Sequence, residues 1–130
     1  MIWVFLVSIA AFLVIDAIAL KWMMYPLFTR HVGELLRDNP QLGVALGFYV
    51  FYVAGIVYFA INPALTEQSL GRAVVNGAIL GFLAYGTYES TNMATLRGWD
   101  WSMVLTDIAW GTVLTATVAA IGYGTGRLLT

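Results

Sequence analysis

A chain of 130 residues that is 61% hydrophobic and 10% charged falls far below the roughly one-quarter charged content of soluble domains, which excludes an ordinary water-facing surface. A formal net charge of -1, with no cluster of Lys or Arg, excludes a nucleic acid partner, because phosphate binding needs several basic groups on one face. The absence of cysteine excludes disulfides, thiolate metal sites, iron–sulfur clusters and cysteine nucleophiles.

A membrane-crossing helix needs about 20 predominantly apolar residues. Four such runs can be drawn, Ile2 to Met24, Leu42 to Ile61, Leu70 to Asn92 and Ser102 to Tyr123, and they leave little chain over. The expected fold is therefore all-α: a polytopic membrane protein, one transmembrane domain over 1–130, built as a four-transmembrane-helix bundle. Runs this long satisfy their backbone groups as helices rather than as barrel strands.

In the first run, Ala17-Ile18-Ala19 has the small-x-small pattern of a signal cleavage site. No Lys or Arg precedes it, however, and the apolar stretch exceeds a signal core, so a retained first helix is expected, ended by Tyr25-Pro26. From Leu27 to Leu36, the residues Leu27, Phe28, Val32, Leu35 and Leu36 recur at helical spacing opposite Arg30, Glu34 and Arg37. This predicts a short interfacial amphipathic helix between helices one and two, with His31 on its polar side rather than acting as a ligand or base.

Asn39-Pro40 is expected to open the second helix and Asn62-Pro63 to close it, with Gly43, Gly47 and Ala54 as a small packing stripe and Tyr49 and Tyr52 able to reach polar neighbours. On the third helix Ala73, Gly77, Gly81, Tyr85 and Glu89 recur every four residues, flanked by Tyr88 and Asn92. After the break at Gly98 and Asp100, the fourth carries Asp107, Gly111, Thr115, Ala119 and Gly122 on one face. Gly77, Gly81 and Gly111 are read as helix-packing positions, and antiparallel packing of these two faces brings Glu89 and Asp107 together.

Lys21, Arg30, Arg37 and Arg97 fall at one end of the bundle, against Arg72, Arg127 and the amino terminus at the other. The positive-inside rule then favours both termini outside the cytoplasm, by a margin small enough to leave dual insertion and an antiparallel homodimer as the alternative. Trp22, Tyr25, Trp99 and Trp101 fit the cytoplasmic interface, and Trp3, Tyr58 and Tyr123 the opposite one.

Ionisable groups inside a bilayer are costly unless paired, hydrated or neutral. Asp16, Glu89 and Asp107 are the three such groups, all in the cytoplasmic half, at about 5, 12 and 9 Å from the span centres on a 1.5 Å rise. They are the candidate catalytic residues, with Tyr49, Tyr52, Tyr85, Tyr88, Asn92 and Trp110 as candidate ligand-binding neighbours. Two carboxyls in a low-dielectric pocket cannot both ionise cheaply, so one could serve as a general acid, a proton carrier or a cation ligand. The structural alternative pairs Glu89 with Lys21 or Arg97, and Asp107 with Asn92, a tyrosine or Trp110. No histidine pair, phosphate loop or Ser/His/Asp set is present, and no metal or cofactor is expected.

The stretch Tyr88-Glu89-Ser90-Thr91-Asn92-Met93-Ala94-Thr95-Leu96-Arg97-Gly98-Trp99, with Thr106-Asp107-Ile108-Ala109-Trp110-Gly111-Thr112, resembles a family of small predicted bacterial inner-membrane proteins, domain of unknown function 2177. The likeness takes in the whole chain, including Asp16 and the aromatic second helix around Phe48-Tyr49. In that family's pattern the acid after the tyrosine is usually aspartate, so Glu89 moves the carboxyl by one methylene and keeps its charge. The resemblance implies an inner-membrane bundle and points to Asp16, Asn92, Trp99, Asp107 and Trp110, but implies no activity.

Three functions are compatible with these residues. The leading one is a pocket that binds a small lipophilic or amphiphilic molecule from the cytoplasmic leaflet, with acid/base chemistry between Asp107 and Asp16. The second is a proton- or cation-coupled transporter using the same carboxyls. The third is a non-catalytic subunit whose small-residue faces dock a larger partner. Membrane lipids are the surrounding partner in all three.

Overall fold

The computed structural model describes residues 1–37 and 41–129; the expected helix opening at Asn39-Pro40 lies outside them. Among the described residues the chain is helical, without strands, in the order α1 (Ile2–Ala19), α2 (Tyr25–Val32), α3 (Leu42–Ile56), α4 (Asn62–Glu67), α5 (Leu70–Thr95) and α6 (Trp101–Leu129). Three continuous helical stretches are long and apolar enough to cross a membrane: Ile2–Leu35, Leu42–Glu67 and Trp101–Leu129. Large apolar side chains such as Val14, Ile18, Phe48, Phe51, Phe82, Leu105 and Val113 are exposed, which suits a lipid-facing perimeter and not an aqueous one.

Neither proline ends its helix, contrary to the sequence expectation. Leu20–Met24 and Val57–Ile61 are π-helical turns, each followed directly by the X-Pro pair, Tyr25-Pro26 or Asn62-Pro63, and the chain stays helical through α2 and α4. A proline ring collides with the carbonyl four residues back and offers it no N–H; the wider π turn gives the ring room. The freed carbonyl still needs a donor in an apolar setting. At the second proline that carbonyl is Phe59 O, which accepts a 3.0 Å hydrogen bond from Asn76 Nδ2 of α5. The second stretch ends instead at Gln68, which takes a left-handed conformation (φ 52°), and Ser69 caps α5 by accepting from Arg72 N at 3.1 Å.

The largest interface joins α5 to α6, and α1 packs on α6 from the other side. Glycine makes the first possible. A Cβ on Gly77 would meet Ala119 Cβ at 2.9 Å and Thr115 O at 3.0 Å, and one on Gly81 would run into the Gly111 carbonyl. Gly111 in turn lies under the ring of Tyr85. Gly43 and Gly47 behave differently from the expected packing stripe, since nothing lies within 4 Å of where their Cβ would stand, and Ala54 is exposed. The packed face of α3 is instead the aromatic and branched one, Tyr49, Tyr52, Val53 and Ile56, with Tyr49 and Tyr52 closing on Phe12 of α1 at ring-centroid distances of 5.0 and 5.7 Å. Bulky side chains there hold the backbones apart, so small residues on the other side of α3 have no helix to meet.

This packing gives two expected outcomes. Gly81→Ala should cost about 1–3 kcal/mol through overpacking, whereas Gly47→Ala should leave thermal unfolding in detergent unchanged or slightly improved. Asn76→Leu should lose about 0.6–1.7 kcal/mol by stranding the Phe59 carbonyl, and a Pro63→Ala change, which restores an N–H, should reduce that loss when the two are combined.

Candidate functional site

Asp16, Glu89 and Asp107 come from α1, α5 and α6 and are 5%, 0% and 8% exposed, so each is more than nine-tenths buried. The close α5–α6 approach brings the Glu89 and Asp107 carboxyls within hydrogen-bonding reach, and Asp16 of α1 lies near Asp107. Neither of the ion pairs found among the described residues, His31–Asp100 and Arg72–Glu67, touches this cluster. The cations proposed from sequence as partners for Glu89 do not take that role: Lys21 Nζ lies over its neighbour's ring, Trp22, at 5.4 Å.

An indole takes the place of the cation expected beside Glu89, and Trp110, one of the partners expected for Asp107, bonds Asp16 instead. Trp99 Nε1 donates to Glu89 Oε1 at 2.8 Å, and Trp110 Nε1 donates to Asp16 Oδ1 at 3.3 Å. The Tyr49 hydroxyl faces the same Asp16 carboxyl. Glu89 Oε2 is fully buried and receives no N–H or hydroxyl; the Asp107 carboxyl is the group within hydrogen-bonding reach of Glu89, and a proton shared between the two supplies the donor. A buried oxygen left without a donor costs free energy on the order of 1–3 kcal/mol.

The remaining expected neighbours divide by depth. Tyr85 lies over Gly111 and stands 6.2 Å, centroid to centroid, from Tyr52, whose hydroxyl makes a 2.8 Å hydrogen bond to Thr115 Oγ1. These two tyrosines lead away from the carboxyls toward the middle of α6. Tyr88 and Asn92 face each other at the rim; Tyr88 is exposed and Asn92 half-buried. Among the described residues no three His, Asp or Glu side chains converge closely enough to ligate one metal ion.

Sequence position alone makes Trp99 an interfacial anchor, although the family resemblance also points to it. Its actual position depends on the loop between α5 and α6. Gly98 adopts a positive φ of 83° and packs under the His31 carbonyl of α2, which turns Trp99 inward. The indole then lies edge-on to Phe28 of α2 at 5.3 Å and to Tyr88 at 6.3 Å, over Glu89. Asp100 comes next as the cap of α6, accepting from Ser102 N at 2.9 Å and Ser102 Oγ at 2.6 Å. Those hydrogen bonds, more than the His31 ring 3.6 Å away, hold its carboxyl below the ordinary aspartate value. The sequence signal for this arrangement is the Gly-Trp-Asp order itself: a turn residue, a side chain with one N–H to satisfy, and a cap.

A shallow, open depression on the outer face of α6 is lined by Leu105, Thr106, Ala109, Trp110 and Val113 and by Met23 from the π turn after α1. Trp110 is its inner wall, and the same indole bonds Asp16 behind it.

Replacing Trp99 by Phe keeps the ring contacts and removes the N–H from Glu89, so it should lower stability by about 1–3 kcal/mol. Adding Glu89→Gln should recover part of that loss in a double-mutant cycle read by thermal unfolding in detergent. Additive losses would mean that the indole and the carboxyl are energetically independent.

Residues 1–124 match the model of a family described as a predicted membrane protein, DUF2177. No curated protein and no solved structure gives a match.

Proposed function

For a chain that belongs to the DUF2177 family of predicted membrane proteins, we propose a membrane-embedded site that binds the polar head of a small lipophilic or amphiphilic molecule between Asp16, Glu89 and Asp107 and moves a proton on it. The observation that carries this reading is the buried pair of Glu89 and Asp107 carboxyls, within hydrogen-bonding reach of one another, with Asp16 near Asp107 and neither of the ion pairs among the described residues touching them. A carboxyl pair buried without a cation is held together by a shared proton, and a proton held there is available for transfer. Here Asp107 and Asp16 are the proton donor and acceptor, and the Tyr49 hydroxyl and Trp110 N–H orient Asp16.

The membrane arrangement belongs to the same proposal. Leu70–Thr95 is the fourth crossing: its 26 residues span about 39 Å, more than a hydrocarbon core of about 30 Å, and its Gly77 and Gly81 face α6 while Glu89 is buried. Ile2–Leu35 would be about 51 Å long, so its α2 end emerges at the interface carrying Arg30, His31 and Glu34 as the amphipathic segment. The packing of Gly98 on α2 supports one common side for Lys21, Arg30, Arg37 and Arg97, hence a bacterial inner-membrane protein with periplasmic termini.

Proton or cation passage is the second reading. It is favoured by the Tyr52–Thr115 hydrogen bond, which continues polar groups into the other half of the bundle, and by Ser8, whose buried Oγ lacks a partner there.

Native mass spectrometry of protein extracted gently from its own membrane tests the leading reading. Asp107→Asn should fold, since the amide keeps the shape, and should lose a small molecule carried by the original sequence. If the two carry the same bulk lipid and nothing else, the binding reading falls and ion flux in liposomes becomes the measurement for the second.

A further inference from the structure

Hydrogen-bond donors are unevenly shared among the three carboxyls. Asp16 Oδ1 accepts from Trp110 Nε1 at 3.3 Å, and its carboxyl faces the Tyr49 hydroxyl. Glu89 Oε1 accepts from Trp99 Nε1 at 2.8 Å, near the short end of the N–H···O range. Glu89 Oε2 is buried and receives no N–H or hydroxyl. Among the described residues Asp107 receives none either, and its hydrogen-bond partner is the Glu89 carboxyl.

A proton shared by Glu89 and Asp107 can sit on either one, and the donors decide which. A donor to a carboxyl favours its charged form, and a hydrogen bond to a charged acceptor is about twice as strong as one between neutral groups. With the proton on Glu89, the Trp99 N–H is spent on a neutral acid, and the charge falls on Asp107, whose single donor is then the Glu89 hydroxyl. With the proton on Asp107, its hydroxyl closes onto Glu89 Oε2 while Trp99 holds Oε1, so both oxygens of the charged carboxyl have a donor. The second arrangement leaves the neutral carboxyl on α6, where Asp16 lies near it.

The Trp99 N–H is aimed by the backbone rather than by the carboxyl it meets. Gly98 takes a φ of 83° against the His31 carbonyl, and the indole is held edge-on to Phe28 at 5.3 Å and to Tyr88 at 6.3 Å. A donor fixed in this way needs no rearrangement when charge is placed on Glu89.

We propose that Trp99 is a positioning residue: its fixed N–H holds Glu89 as the charged member of the pair and so places the shared proton on Asp107, beside Asp16. This rests on the proton-transfer reading above and supplies its direction. A neutral Asp107 can give a proton, and an Asp16 kept charged by Trp110 and Tyr49 can take one.

The test uses the full chain in nanodiscs at neutral pH, without added ligand, read by the infrared C=O stretch that a carboxyl shows only when protonated. Labelling the aspartate carboxyls with heavy carbon should shift that band, and labelling the glutamate carboxyls should not. Asp107→Asn should remove it, and Asp16→Asn should keep it. Trp99→Phe should divide it between the two labels. If that variant does not fold, the same spectrum is read with benzothienylalanine at the position, which has the shape of the indole without its N–H. A band that moves with the glutamate label in the original chain would overturn the placement and leave the shared proton and the binding reading standing. A band that stays wholly with aspartate once the N–H is gone would overturn the role of Trp99. The absence of any protonated band would overturn the shared proton, and the reading above with it.

Discussion

The contact on which the site depends is the approach of α5 and α6 through Gly77, Gly81 and Gly111. In lipid, helix association gains little from burying apolar surface, so close backbone packing is a main source of attraction between helices. Side chains at these positions would push the axes apart, and the consequence would not be limited to stability. Glu89 lies two turns beyond Gly81 on one helix, and Asp107 one turn before Gly111 on the other. Their juxtaposition is set by the same crossing, so packing and site chemistry are one constraint written twice.

The π turns serve a comparable double purpose. Each lets a proline sit in a continuous helix, and each shifts the register of the downstream helix by a fraction of a turn. After α1 the shift carries the chain into α2, whose Phe28 and His31 carbonyl receive the α5–α6 loop. After α3 the shift puts Ala60 and Ile61 into the core against α5 and α6, where Ile61 also fills the space beside Gly122. The first half of α3 is free of such demands, and its residues from Leu42 to Tyr49 are mostly exposed.

The features legible in the sequence are those set by periodicity and by cost. Apolar runs too long for any other arrangement define the all-helical, membrane-spanning class, and small residues every four positions define the tight α5–α6 face. The expectation that proline stops a helix fails here because it assumes α geometry; a π turn has no signature in composition. Gly43 and Gly47 mislead because a small stripe states which face can pack closely, not whether another helix is there. For Glu89 the sequence offers cations, Lys21 or Arg97, whereas the donor is the indole two residues past Arg97, turned inward by Gly98. Spacing cannot reveal a loop's direction, and the positive φ that sets it becomes visible once the backbone is known.

An indole is an unusual guard for a carboxyl, and the choice has consequences that Lys or Arg would not have. A cation would neutralise the carboxylate, fix its state and use several of its acceptor positions. Trp99 and Trp110 each supply one N–H, no charge and a large apolar body, so they cover Glu89 and Asp16 while adding no counter-charge to the cluster. Ionised carboxyls without a counter-charge are expensive in a low dielectric, and a proton held between Glu89 and Asp107 relieves that cost. Opening either indole gives up its hydrogen bond and its ring packing together, Trp99 against Phe28 and Tyr88 and Trp110 against the core, so the cluster is closed at rest.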